Sequence, residues 1–216
     1  MRIIYISDIH GKFDALDALP HGDLLLVGGD FTQFGTLDDF KEATLRVKAR
    51  FPLFMAVAGN LDVPEADDFL AGEGLLLSPS HVWEKDGLKF AGIGGANKSP
   101  FNTPYEWDDA DMAGRLAHFL PGQIDVLVSH APPFDCGADM IGSGIGVGSK
   151  AVRDLAERVQ PSIVLCGHIH EARGIYSMGA FPVVNPGPFG DMGNYAEILV
   201  EPGHGASAWL SSALGA

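Results

Sequence analysis

A chain of 216 residues, 46% hydrophobic and 19% charged, has the composition of a folded globular protein and the length of one α/β domain, expected to span residues 1–216. Its 28 acidic residues against 14 Lys and Arg leave a net charge of −14, which excludes general attraction to a phosphate backbone and makes duplex nucleic acid an unexpected partner. Two cysteines, Cys136 and Cys166, cannot build a disulfide framework; the first residues meet a charge too early for a signal peptide, and no apolar run is long enough to cross a membrane, so no membrane partner and a cytoplasmic location are expected.

Arg2 to Ser7 is an apolar run of strand character that ends on Asp8-Ile9-His10-Gly11, where the i, i+2 spacing puts Asp8 and His10 on one side of an extended chain. Phe13, Leu16 and Leu19 recur at helical spacing and predict a short helix stopped by Pro20. Leu24 to Val27 reads as a second buried strand, closed by Gly28-Gly29-Asp30, whose glycines let the backbone turn and carry Asp30 to the tip. Thr36 is the predicted N-cap of a helix from Leu37 to Ala49, with Asp38 and Asp39 in its first turn, where the helix dipole favours them. Leu53 to Val57 is a third apolar strand and runs into Gly59-Asn60-Leu61-Asp62; Pro64 then suits the first turn of a helix through Leu70. Val82 to Lys85 and Leu88 to Ala91 flank Asp86-Gly87, a strong hairpin signal.

A polar loop, Asn97 to Glu106, follows with two prolines and two aromatics, and loops of this length in a compact domain are often functional. Trp107 to Phe119 is a predicted helix, broken by Pro121-Gly122. Ile124 to Val128 is a fourth buried strand, after which Pro132 and Pro133 forbid further regular structure and hold His130 at the tip. The glycine-rich stretch Gly137 to Gly148 is preceded by prolines and a loop where a dinucleotide-binding turn needs a strand, so it is not read as one. Ser149 is the predicted N-cap of a helix from Lys150 to Val159. Ile163 to Cys166 then feeds Gly167-His168-Ile169-His170, and short strand-like runs follow at Gly174 to Ser177, Phe181 to Asn185, Tyr195 to Val200 and Ala206 to Leu210.

Five strand ends therefore carry Asp8/His10, Asp30, Asn60, His130 and His168/His170. Each alone has a plain structural explanation: Asp30 as a turn residue, Asn60 as a left-handed turn, His168 and His170 as solvated turn histidines. Carboxyl ends of strands in an α/β architecture share one edge of the sheet, so the seven side chains are expected to converge. Imidazole and carboxylate donors without thiolate suit Mn²⁺, Fe, Zn and similar ions.

In order and in spacing, Asp8-X-His10, Gly29-Asp30, Gly59-Asn60, His130 and Gly167-His168-X-His170 resemble the calcineurin-like metallophosphoesterases over residues 1 to 190. Ser129-His130-Ala131-Pro132-Pro133, the glycine-rich stretch and Asn185-Pro186-Gly187-Pro188 are similar to the small Icc-related bacterial and archaeal members. The resemblance implies an α/β fold in which two mixed β-sheets pack face to face with flanking helices, a four-layer α/β/β/α sandwich. It implies two divalent metal ions, Mn²⁺ first among Mn²⁺, Fe, Zn, Ni and Mg, with Asp8, His10 and His170 holding one ion, Asn60, His130 and His168 the other, and Asp30 bridging both. Asp30, Asn60 and His130 are then the catalytic centre.

Two ions about 3.5–4 Å apart lower the pKa of a bridging water, hold two phosphoryl oxygens and offset the charge of an in-line displacement. The implied reaction is hydrolysis of a small phosphodiester, cyclic nucleotides included, by in-line attack of a metal-bridging hydroxide. A phosphomonoesterase of the same fold, or a non-catalytic protein-binding scaffold such as the retromer subunit of the family, is the alternative. Asn97 and Lys98 are candidate phosphate or leaving-group contacts. One position departs from the pattern: many members place His directly after the Gly-Asn asparagine, and Leu61 stands there. Asp62 matches an acidic residue of the family and is expected to orient a neighbour rather than bind metal.

Overall fold

The alternation Ile3-Ile4-Tyr5-Ile6 organises the computed structural model, which describes residues 1–215: Ile3 and Tyr5 face one apolar core, Ile4 and Ile6 a second one on the opposite side. In chain order the strands are β1 (Arg2–Ile6), β2 (Leu24–Val27), β3 (Phe54–Ala56), β4 (Trp83–Lys85), β5 (Leu88–Ile93), β6 (Ala96–Asn97), β7 (Glu106–Trp107), β8 (Val126–Ser129), β9 (Ile163–Leu165), β10 (Gly174–Met178), β11 (Phe181–Asn185), β12 (Asn194–Glu201) and β13 (His204–Ser212). The helices are α1 (Leu37–Arg50), α2 (Ala66–Gly72), α3 (Asp109–Leu116), α4 (Lys150–Val159) and α5 (Phe189–Met192).

Two mixed sheets result, a five-stranded one in the order β13-β12-β1-β2-β3 and a six-stranded one in the order β10-β11-β9-β8-β5-β4. Their inner faces share a core built from Ile3, Tyr5, Leu26 and Val57 of the first and Phe90, Val128, Ile163 and Leu165 of the second. Outside the first sheet, Phe40, Val47 and Leu70 of α1 and α2 cover Ile4, Ile6, Leu25 and Phe54. Outside the second, Met112 and Leu116 of α3 and Val152, Leu155 and Val159 of α4 cover Leu127, Val164 and Val183. This is the expected α/β/β/α layering, and it follows from strands that are apolar on both faces and so must be covered on both. No helix among the described residues is long and apolar enough to cross a membrane.

Local chemistry sets most boundaries. Thr36 caps α1 in a capping box, accepting from Asp39 N–H while the Asp39 carboxylate accepts from Thr36 N–H. Ser149 caps α4 by accepting from Val152 N–H at 3.2 Å. Asp86 and Gly87 both have positive φ, the turn that matches the twist of the β4–β5 hairpin.

Two expected helices are shorter than their sequence patterns. Only Leu16–Ala18 forms a turn of 3-10 helix before Pro20. The helix expected from Trp107 starts at Asp109, because Trp107 is taken into β7, where it pairs with Asn97 while Glu106 pairs with Ala96. The loop between those two strands is thereby closed at its base.

Candidate metal centre

β1, β2 and β3 run parallel, as do β5, β8 and β9, so each sheet delivers its carboxyl strand ends to one edge. Side chains from the two edges meet. Nε2 of His170 lies 3.4 Å from Oδ1 of Asp8, and Nε2 of His130 lies 2.8 Å from Oδ1 of Asn60 and 3.5 Å from Oδ2 of Asp30. His10 Nε2 completes the first group, 3.3 Å from His170 Nε2 and 4.0 Å from Asp8 Oδ1. The His168 ring stands 5.2 Å from that of His130, and its backbone N–H donates to both oxygens of Asp8 at 3.2 Å. All seven residues singled out from the sequence are thus brought together.

The turns that carry them are held in unusual conformations. Of the nine described non-glycine residues with positive φ, four are Asp8, His10, Asp30 and His168. Left-handed backbone at such residues costs on the order of 1–3 kcal/mol and persists only where the surroundings enforce it. Here the first two turns are stitched together: Asp8 N–H donates to Gly29 O, Ile9 and His10 N–H to Asp30 O, and Gly11 N–H to Phe31 O. Gly59 is required because a Cβ there would lie 2.0 Å from Asp30 Oδ1. Beneath these turns Asp62, fully buried, accepts from the N–H groups of Phe31, Thr32 and Gly59 and from the Thr32 hydroxyl, so it orients its neighbours as expected.

Hydrogen bonding fixes which atoms point inward. Gly28 O can only accept, so the Nδ1 of His130 at 2.8 Å carries a proton, which leaves Nε2 as the atom that either holds a second proton or presents a lone pair to a cation. The Thr103 hydroxyl donates to Glu106 and therefore accepts from Asn60 Nδ2 at 3.0 Å, which turns Asn60 Oδ1 toward His130. Asn60 Oδ1 and His130 Nε2 thus face each other at 2.8 Å, a contact made by a proton on Nε2 or by a cation that takes its place.

The charges agree with this. Asp8, Asp30 and Asp62 are buried, and among the described residues none is ion-paired with Lys or Arg; Asp8 lies beside His10 and His170, and Asp30 beside His130. Burial works against ionisation of Asp8, yet His170, His130 and His10 hold its carboxyl well below the usual range. Burial lowers the His130 pKa, but Asp30 beside it prevails and the group is pushed up to about 9. Burial and then His130 push His168 down to about 4, leaving a neutral ring. Burial, with the charge of Asp30 adding to it, pushes Asp62 up to about 7.

Carboxylate, amide and imidazole donors 2.8–3.5 Å apart match ligands that each sit about 2.0–2.2 Å from a shared ion. Donor atoms within 4.8 Å of one another fall into two groups, Asp8 with His10 and His170, and Asp8 with Asp30 and His130. Asp8 therefore adjoins both groups, a position the resemblance assigned to Asp30.

A cleft of about 500 Å³ opens over these residues, lined by His10, Asp30, Asn60, His168 and His170 and by Leu61. Asn97 and Lys98 do not line it. The Asn97 amide donates to Val147 O at 3.2 Å, and the exposed Lys98 ammonium pairs with Asp108 at 2.8 Å. Pairing of β6 with β7 directs both away, and Phe101 and Thr103 from the tip of the same loop take their place. Phe34 and the Lys12–Asp191 ion pair also reach the cleft. An aromatic residue next to a glycine directly after the Asp30 turn was the available signal for Phe34; Lys12 and Asp191 lie far apart in sequence and had none.

Stacked mixed sheets with imidazole and carboxylate donors gathered between their facing edges define a candidate metal centre at the mouth of a cleft. A family model described as calcineurin-like phosphoesterase matches residues 1–172. An uncharacterized protein of Methanocaldococcus jannaschii is 36% identical over 195 residues, covering 87% of this chain and 88% of its own. Human metallophosphoesterase domain-containing protein 1 is 23% identical, over 85% of this chain and 65% of its own length. In fold alone, the crystal structure of TT1561 from Thermus thermophilus superposes with a TM-score of 0.71 over 98% of each chain at 16% identity. The chain belongs to the calcineurin-like phosphoesterase family.

Proposed function

We propose that this chain hydrolyses small phosphodiesters, cyclic nucleotides among them, with two divalent ions, Mn²⁺ first. Asp8, His10 and His170 would hold one ion and Asn60, His130 and His168 the other, with Asp30 serving both. When bound, such ions lower the pKa of water and offset phosphoryl charge. The observation that carries this reading is the approach of Asn60 Oδ1 and His130 Nε2 to 2.8 Å, with each orientation fixed from behind by Thr103 and Gly28, so that a cation can take the place of the proton between them.

The chain's own residues supply position and surroundings. Gly28 O keeps a His130 proton on Nδ1, and Thr103 keeps the Asn60 amide group turned outward. Leu61 N–H donates to Asp30 Oδ1 at 2.8 Å and fixes that carboxylate, while the Leu61 side chain puts apolar surface in the cleft and has no proton to give to a departing oxygen. Leaving groups that need no protonation are therefore favoured, which is why aryl diesters and strained 2′,3′-cyclic phosphates are the preferred class.

Protein stripped with chelator should hydrolyse neither bis(p-nitrophenyl) phosphate nor a nucleoside 2′,3′-cyclic phosphate and should regain both activities with Mn²⁺. Asp30→Asn should be among the most damaging changes. Full activity in chelator refutes the metal-dependent reading, and faster turnover of p-nitrophenyl phosphate than of the diesters refutes the diester preference.

A further inference from the structure

We propose that Phe34 and Phe101 form the binding surface for a planar aromatic group, a nucleobase or an aryl ring, carried by the phosphoester substrate. The inference rests on the function proposed above and adds to it the part of the substrate that is recognised and the side chains that recognise it. Both rings line the cleft that holds Asp30, Asn60, His168 and His170, and its volume of about 500 Å³ lies within the range of small-molecule sites. Phe34 is 62% exposed and Phe101 84%, and neither belongs to any of the three apolar cores. Phenylalanine is ordinarily among the most buried residue types. Two such rings, with Leu61 between the ligand-bearing turn and the cleft, put apolar surface beside the most polar site of the molecule.

Neither ring is exposed through looseness. Phe34 is held at a φ of 58°, where a bulky residue is an outlier, and its N–H donates to Leu61 O at 3.2 Å. The Phe101 loop is built around the Glu106 carboxylate, which accepts from the hydroxyls of Ser99 and Thr103 at 2.6 and 2.8 Å and from their backbone N–H groups at 3.3 and 3.1 Å. Ser99 Oγ in turn accepts from Phe101 N–H at 3.2 Å.

Each aromatic segment is also bonded to the Asn60–Leu61 turn, Phe34 through Leu61 O and the Phe101 loop through the Thr103–Asn60 hydrogen bond. The rings are therefore placed relative to the candidate metal ligands, not merely near them. A phosphoryl group gains nothing from such walls, and a ribose, with no flat π-system, gains less than a planar ring. A flat π-system covers them, and stacking of a base on an aromatic side chain is worth roughly 5- to 150-fold in affinity.

The test is calorimetric titration of Mn²⁺-loaded protein with inorganic phosphate, ribose 5-phosphate, adenosine 5′-monophosphate and phenyl phosphate. The native protein should bind adenosine monophosphate at least about tenfold more tightly than ribose 5-phosphate. Phe34→Ala and Phe101→Ala should each remove about five- to tenfold of that preference, the double variant should abolish it, and Phe34→Tyr should keep it. Affinities for phosphate and ribose 5-phosphate should not move.

A gain shared by phenyl phosphate means that any aryl ring is accepted; a gain confined to adenosine monophosphate identifies the nucleobase. Equal affinity for adenosine monophosphate and ribose 5-phosphate, equal losses for every ligand in the variants, or no measurable binding of adenosine monophosphate overturns the proposal. Binding needs no turnover, so the two readings fail separately: aromatic selectivity in binding without hydrolysis of any ester would sink the proposed function, and metal-dependent diester hydrolysis without aromatic selectivity in binding would sink this inference.

Discussion

Replacing Asp62 by alanine tests the support beneath the site. Its carboxylate accepts from Phe31 N–H at 3.1 Å, Thr32 N–H at 2.9 Å, Gly59 N–H at 2.9 Å and the Thr32 hydroxyl at 2.8 Å. Alanine leaves three backbone donors buried without an acceptor, each at about 1–3 kcal/mol, while the hydroxyl can rotate and a water entering the vacated space recovers part of the loss. The change also ends the repulsion between Asp62 and Asp30, a second offset. A net loss of about 3 kcal/mol is expected, which lowers Tm by about 6–12 °C in a domain of this size. Differential scanning calorimetry in chelator measures it without any contribution from bound metal.

Mn²⁺ titration of the same variant should then show affinity about 10–100-fold weaker, because the turns that carry Asp30 and Asn60 lose their common anchor. A Tm within about 2 °C of the native value would refute the assignment of stability to these four hydrogen bonds. Unchanged Mn²⁺ affinity in a destabilised variant would show instead that Asp62 supports the fold and not the site.

Leu61→His should flatten the dependence of log kcat on leaving-group pKa across a series of phenyl phosphodiesters, since a positioned acid contributes about 10²–10⁴-fold and most where the departing oxygen is basic; a shallow slope in the native protein would mean that another group already supplies the proton. With His130 raised to about 9 in the absence of metal, a cation must displace a proton below that pH, so Mn²⁺ affinity should climb by up to about tenfold per pH unit toward pH 9 and then level off. By the same linkage, the His130 contribution to metal-free stability is fully present below its ordinary value of 6.5 and is lost as pH rises through about 9, which Tm against pH in chelator will follow. Gly59→Ala, whose Cβ would lie 2.0 Å from Asp30 Oδ1, should fold with displaced turns and abolish Mn²⁺ binding, whereas Lys98→Ala should leave kcat/KM unchanged.

The strands were legible because an apolar run buried on two faces leaves few alternatives, and Leu24–Val27, Phe181–Asn185 and the helix Lys150–Val159 fall where their residues place them. The seven clustered side chains were legible because a polar residue ending a buried strand must lie at a sheet edge. What escaped depends on contacts between segments distant in sequence. Ala96 and Asn97 carry no local sign that they will pair with Glu106 and Trp107, and that pairing turns Asn97 and Lys98 away while raising Phe101 and Thr103 into the cleft. Nor does a sequence say which lone pair of Asn60 faces inward; a hydroxyl 43 residues on, Thr103, decides it.

The short contacts of the site join different sheets: Asn60, His10 and Asp8 come from one, His130 and His170 from the other. An ion caught between them would fasten the two halves of the sandwich at their open end, and since the unfolded chain offers no such arrangement, it would bind the folded state alone. At a hundred times its dissociation constant such a ligand contributes about 2.7 kcal/mol to stability. The survival of the protein against heat and proteases would then track the divalent cation supply, so that scarcity of metal shortens the lifetime of the molecule as well as silencing its chemistry.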